Sequence, residues 1–166
     1  MKAGREAAFR SVGATLVIKE AQRRLDALAA ESVTALRSAS IPCLMLRGPA
    51  IARWLYDDSS ERAYEDVDLL IPVSAREEAA KVLLGLGLEP LLDGAAPSEQ
   101  APHAKTLIGE AGTVDLHWTL KGVGVQPEAV WAALGEDAEE LSLAKASIRV
   151  AAPGARALLE LIPELA

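Results

Sequence analysis

Two carboxylates one residue apart inside an apolar run constrain this chain more than anything else in it: Glu65-Asp66-Val67-Asp68-Leu69-Leu70-Ile71. The run has the length and composition of a strand. Side chains alternate along a strand, so Asp66 and Asp68 project from one face while Val67 and Leu69 project from the other. Two like charges that close repel unless water, a base or a cation neutralises them. An oxygen-only pair of this kind suits a hard divalent cation such as Mg²⁺. The plain alternative is a strand with one solvated face.

The surrounding pattern predicts an α/β or α+β chain. Residues 1–40 hold no proline and read as helical, with a helix from about 15 to 38 and a shorter one before Gly13. Pro42 ends that stretch, because it disfavours helix at the residue before it. Cys43-Leu44-Met45-Leu46-Arg47 has buried-strand length, and Gly48-Pro49 turns the chain into a short helix through Tyr56. The carboxylate strand follows at about 65–71 and Pro72 closes it. Ser74 with Glu77 has capping-box spacing for a helix to about Leu86, and Gly87 is placed as its C-terminal cap.

Leu88 to Leu92 reads as a short strand, and residues 93–102 read as a flexible loop. His103 to Ile108 and Thr113 to Leu120 read as two strands joined through Gly109-Glu110-Ala111-Gly112. Asp115 and His117 then share one face of the second strand. Pro127 opens a further helix. The acidic stretch Glu136-Asp137-Ala138-Glu139-Glu140 reads as a solvated helix face or loop. A strand over Ser147 to Val150 and a last apolar helix, 155–165, complete the pattern. A mixed sheet with helices mostly on one face fits this order. The expected division is an N-terminal helical segment (1–40) packed on a core (41–151), followed by a C-terminal helix (152–166) that reads either as the start of a truncated helical region, as a minimal version of one, or as a segment completed by a partner.

At 166 residues the chain is long enough for one domain with a sizeable core. Apolar residues make up 51% but aromatics only 4%, so that core must rest on Leu, Val, Ile and Ala. The net charge of −7 comes with no basic stripe, which argues against binding long nucleic acid. It leaves a nucleotide substrate open, since metal ions bridge carboxylates to phosphates. Cys43 is alone in an apolar run, so it has no internal disulfide partner and reads as a buried, inert thiol. No apolar stretch follows Met-Lys-Ala-Gly-Arg-Glu, and no segment approaches the roughly 20 apolar residues of a membrane span. A cytoplasmic location is the expectation.

Three elements in order carry the chemistry. Arg47-Gly48 sits at a strand-to-helix turn, Asp66 and Asp68 lie on the next strand, and Asp115 lies on a later one with His117 beside it. Neighbouring strands would bring three carboxylates to one end of the sheet, in the outline of a two-metal phosphoryl-transfer site. A glycine turn that opens a helix offers backbone N–H groups to phosphate.

These segments resemble a known family. They are Ile41 to Gly48, Leu55-Tyr56, Arg62 to Ile71, Leu84-Gly85-Leu86-Gly87, and Val114-Asp115-Leu116-His117-Trp118. The ordered set is similar to the uncharacterised nucleotidyltransferase family of the DNA polymerase β-type nucleotidyltransferase superfamily, over about 40–151. The resemblance implies a mixed sheet flanked by helices. It implies an NTP (ATP foremost) with Mg²⁺ or Mn²⁺, and transfer of a nucleoside monophosphate to an acceptor hydroxyl. Asp66 and Asp68 would be metal ligands and Asp115 the third carboxylate. Gly48 would let the triphosphate approach the backbone, with Arg47, Arg62 and His117 as substrate or phosphate contacts.

Arg47 stands where the family usually has Lys, and Pro49 stands where the wider superfamily has Ser. A catalytically inactive module of the same fold, acting with a protein partner or a second copy, is the alternative. The other conspicuous residues have plainer readings. Arg47 could simply pair with Asp66 or Asp68, and Glu65 points away from the pair. His103 suits a structural role, Lys105 could reach phosphate, and Trp54, Trp118 and Trp131 suit core or interface anchors.

Overall fold

The computed structural model describes the backbone of residues 2–91 and 103–161, and side chains from residue 15 onward. The expected loop at 93–102 lies outside the described residues. Helix α1 (Lys2–Ser38) is one continuous helix, so Gly13 does not divide it. Its stop comes before Pro42. Ser40 turns left-handed at φ 61°, and the Ile41 N–H reaches back to the Leu36 carbonyl at 2.9 Å. Leu25, Leu28, Ala29, Val33 and Leu36 recur at helical spacing and form its buried face.

Seven strands make one mixed sheet in the order β3-β4-β5-β2-β1-β7-β6. They are β1 (Leu44–Met45), β2 (Asp66–Leu70), β3 (Glu89–Pro90), β4 (Ala104–Gly109), β5 (Gly112–His117), β6 (Glu139–Leu143) and β7 (Ala146–Val150). β2 runs parallel to β5 and β1 parallel to β7, while the other pairs are antiparallel. Several strands differ from expectation, β5 among them, which ends at His117 and not at Leu120. β1 is shorter than the apolar run that contains it. Glu139 and Glu140, read as helix face or loop, belong to edge strand β6, whose outward residues are charged because solvent faces them.

The remaining helices are α2 (Pro49–Leu55), α3 (Arg76–Leu84), α4 (Pro127–Gly135) and α5 (Pro153–Leu161). The capping box at Ser74 does not form. A 3₁₀ turn over Val73–Ala75 intervenes, and α3 starts behind Ala75 with no side-chain cap. α3 also ends at Leu84 instead of Leu86, and Gly87 makes the left-handed turn after it at φ 85°.

Helices cover both faces of the sheet, where mostly one was expected. On the first face Met45, Val67, Leu69, Val114 and Leu116 pack beneath α1 and α3 in the main core. On the second, Leu44, Leu46 and Leu70 pack with Val130 of α4 and Leu159 of α5 in a smaller cluster. Leu70 shares its face with Asp66 and Asp68 by strand alternation. The carboxylates therefore lie on the face that α4 and α5 cover only in part. Cys43 is buried, and burial pushes its thiol up to about 11, as expected of an inert cysteine. No described helix is long and apolar enough to cross a membrane.

Candidate active site

Register brings the carboxylates together. In the parallel pair β2–β5, Asp68 stands opposite Asp115 and Asp66 opposite Thr113. Directly paired residues of adjacent strands project to the same side, so Asp66, Asp68 and Asp115 share one face. They line an open cleft of about 340 Å³ together with Arg47, Gly48, Arg62, Ala63, Tyr64 and Glu65. The structure thus gathers Asp66, Asp68, Asp115, Arg47, Gly48 and Arg62 at one place. Glu65 reaches the rim of the cleft as well, although strand alternation turns it away from Asp66.

Burial, then the charges of Asp68 and Asp115, push the Asp66 carboxyl up to about 6, and Arg47 acts in the opposite direction. Asp68 is deeper, at 6% exposed, and its Oδ1 lies 3.0 Å from His117 Nε2. His117 is 2% exposed, lies against Asp68 and does not line the cleft. The His103 ring stacks on it with 6.1 Å between centroids.

The donor set fits a hard cation: three carboxylates, no sulfur, and one carboxyl that burial and neighbouring negative charge push up to about 6. Among the described residues, no three acidic, His or Cys side chains converge on a single metal-binding point. Asp66, Asp68 and Asp115 form a wall for a cation, and ligand oxygens from outside the protein would have to complete its shell.

Gly48 opens the turn above this wall at φ 60°, ψ −118°. A Cβ there would lie 3.0 Å from the Asp66 carbonyl oxygen. Backbone conformation and close approach therefore both require glycine. Pro49 takes the first helical position of α2, where its missing N–H breaks no helical bond.

Arg62 reaches the cleft wall already engaged. Its Nε and Nη2 donate to Glu160 of α5 at 3.2 and 2.7 Å, a two-pronged pair. The backbone that carries Arg62 is tied to α1, since Gln22 Nε2 donates to the carbonyls of Ser59 and Arg62 at 2.9 Å each.

Thr106 was not singled out by sequence, yet its hydroxyl donates to Asp115 Oδ1 at 2.5 Å. The signal was the tight Gly109–Gly112 hairpin. Counting back from that pair sets Thr106 opposite Asp115. Asp26 and Arg53, which brace Tyr64, carried no such signal, because their contacts join distant parts of the chain.

A larger apolar groove of about 670 Å³ runs between α1 and the β4–β5 hairpin. It meets the acidic cleft only at Tyr64 and Glu65.

Solved structures share this fold. A crystal structure of ANT(2'')-Ia in complex with adenylyl-2''-tobramycin is 17% identical, with a TM-score of 0.58 over 84% of this chain and 76% of its own. The solution structure of the same antibiotic-resistance factor gives 0.56 over 83% and 73%, again at 17% identity. The lincosamide antibiotic adenylyltransferase LnuA, with lincomycin bound, gives 0.51 at 13% identity, over 76% and 79%. No curated protein sequence matches. The family model described as uncharacterised nucleotidyltransferase matches residues 7–162, from the first turns of α1 to just past the end of α5. That match takes in every strand of the sheet and all three carboxylates, and the chain belongs to the uncharacterised nucleotidyltransferase family.

Proposed function

We propose that the protein is a divalent-cation-dependent nucleotidyltransferase that moves a nucleoside monophosphate from an NTP, ATP foremost, to an acceptor hydroxyl. One observation carries the reading: Asp115 pairs in register with Asp68, beside Asp66, on the wall of a cleft that also holds Arg47 and Gly48. Adenylyl transfer is favoured among the nucleotides because two neighbours of this fold are described with an adenylylated product or as an adenylyltransferase.

In the reaction, the acceptor oxygen bonds to the α-phosphorus and the bond to the bridging oxygen of the β-phosphate breaks. Pyrophosphate leaves, and the hydroxyl proton passes to a base. Asp66 and Asp68 would hold the cation, Mg²⁺ or Mn²⁺, which would supply positive charge for the phosphate oxygens. Asp115 completes the set and would help to orient or deprotonate the acceptor hydroxyl. Gly48 admits the triphosphate close to the backbone, and Arg47 and Arg62 offset its charge. Asp68→Asn and Asp66→Asn should each abolish metal-dependent NTP turnover while leaving a folded protein. Unchanged turnover in either variant would overturn the proposal.

The second reading is a non-catalytic module that keeps the fold and acts through a partner. Two observations favour it: Pro49 offers no N–H at the turn, and Glu160 already occupies Arg62. Titration of a non-hydrolysable ATP analogue with Mg²⁺, together with light scattering, separates the two. Absence of nucleotide binding alongside a stoichiometric protein partner supports the module.

A further inference from the structure

We infer that Thr106 and His117 are positioning residues, each pinning one oxygen of a cleft carboxylate so that the second oxygen is aimed at the cation; this rests on the proposed function. Thr106 pins Asp115 and His117 pins Asp68.

The Thr106 hydroxyl crosses directly from β4 to its register partner, donating to Asp115 Oδ1 at 2.5 Å. His117 approaches Asp68 diagonally from β5, Nε2 to Oδ1 at 3.0 Å. A carboxylate only accepts, so Nε2 carries the proton. The other ring nitrogen, Nδ1, is buried with no hydrogen-bond partner. That orphan atom is informative. A side chain needed only to fill this space would be apolar and leave nothing unsatisfied. The imidazole keeps one polar function, its bond to Asp68.

A carboxylate bonded through neither oxygen turns about its last torsion and presents a cation with a scatter of orientations. One fixed oxygen sets the plane of the group. Residues that orient metal ligands in this way typically change metal affinity about 10–100-fold when removed. Here Asp115 and Asp68 are each held by a different residue, on two adjacent strands.

The test is Mn²⁺ binding, followed by the paramagnetic resonance of free Mn²⁺, on the wild type and on Thr106→Val, Thr106→Ser and His117→Gln. Thermal melts in EDTA accompany each variant. Valine matches threonine in shape and suits a strand, so the EDTA melt should hold. Mn²⁺ affinity should fall about tenfold or more in Thr106→Val and stay within about twofold in Thr106→Ser. His117→Gln offers an amide N–H in place of Nε2 and should retain part of the affinity. Should it fail to fold, the Thr106 pair decides alone. Wild-type affinity in Thr106→Val overturns the inference and leaves the proposed function standing. A wild type that binds no Mn²⁺ overturns the cation site, and the inference with it.

Discussion

Asp66 precedes Asp68 by two residues on the same face of β2, and burial together with that neighbouring charge holds the Asp66 carboxyl up at about 6. Its ordinary value is 3.8, so between those pH values the folded protein binds the proton that the unfolded chain has released. Stability from this group is therefore greatest below its ordinary value and falls as pH rises through about 6. Asp66 is only partly buried, so solvent screening limits the effect to about 1 kcal/mol. Asp66→Asn should raise the melting temperature in EDTA at pH 7.5 by about 2–4 °C and leave it unchanged at pH 4. Mn²⁺ should raise the melting temperature of the wild type far more than that of the variant. Scanning fluorimetry across pH checks this, and an equal melt in EDTA at pH 7.5 refutes it.

Under the proposed function, Glu160 and a nucleotide phosphate would compete for the same guanidinium. Arg62 lies on the cleft wall, yet its two hydrogen bonds go to the carboxylate of α5. The pair is partly exposed, so its loss should change folding stability by less than about 1 kcal/mol. Releasing Arg62 should show in binding instead. Glu160→Gln should tighten binding of a non-hydrolysable ATP analogue about threefold or more, while Arg62→Ala weakens it. Weaker binding in Glu160→Gln would assign Glu160 to holding Arg62 in its working place.

The sequence was most legible where contacts are local. The alternation of Asp66-Val67-Asp68-Leu69 fixed which residues share a face, and Pro49 marked the start of α2. It was less legible where local signals compete. The Glu139–Glu140 strand was hidden because charge at an edge strand looks like charge on a helix or loop. The Ser74–Glu77 spacing suggested a cap that a 3₁₀ turn displaced. Contacts of long sequence separation left no local trace at all. Arg62–Glu160 and Gln22–Arg62 are of this kind, and both bear on how Arg62 meets the cleft. The residues that line the acidic cleft could be named from sequence, but not the side chains that brace them.

Gly48 is the tightest point between the turn and the carboxylate strand. Any other residue would have to adopt φ 60°, ψ −118° with its Cβ 3.0 Å from the Asp66 carbonyl. A backbone oxygen of a central strand cannot move aside cheaply. Gly48→Ala should cost about 1–3 kcal/mol, read by urea unfolding. It should also weaken Mn²⁺ binding, because the strain is relieved by shifting Asp66. A loss below about 0.5 kcal/mol would show that the turn relaxes elsewhere.

Tyr64 joins this turn to α1, and its two halves do different things. Its hydroxyl donates to Asp26 Oδ1 at 2.6 Å and accepts from Arg53 Nη1 at 3.3 Å, while Arg53 Nη2 also pairs with Asp26. Burial, then the hydrogen bond to Asp26, push the phenol up to about 12, so the hydroxyl keeps its proton across the working range. Its ring lies 3.8 Å from where a Gly48 Cβ would stand and lines the acidic cleft. Tyr64→Phe removes the hydroxyl alone and leaves Arg53 on Asp26, so it should cost about 1–2 kcal/mol. Asp26→Asn weakens the charge that holds Arg53 and should cost about 2 kcal/mol or more. The double variant should cost less than the sum, since both changes break one network. Mn²⁺ affinity should stay near wild type in Tyr64→Phe, because the ring under Gly48 remains, and fall in Tyr64→Ala, because it does not. Equal losses of affinity in both variants would mean that the hydroxyl network, and not the ring, sets the position of the turn.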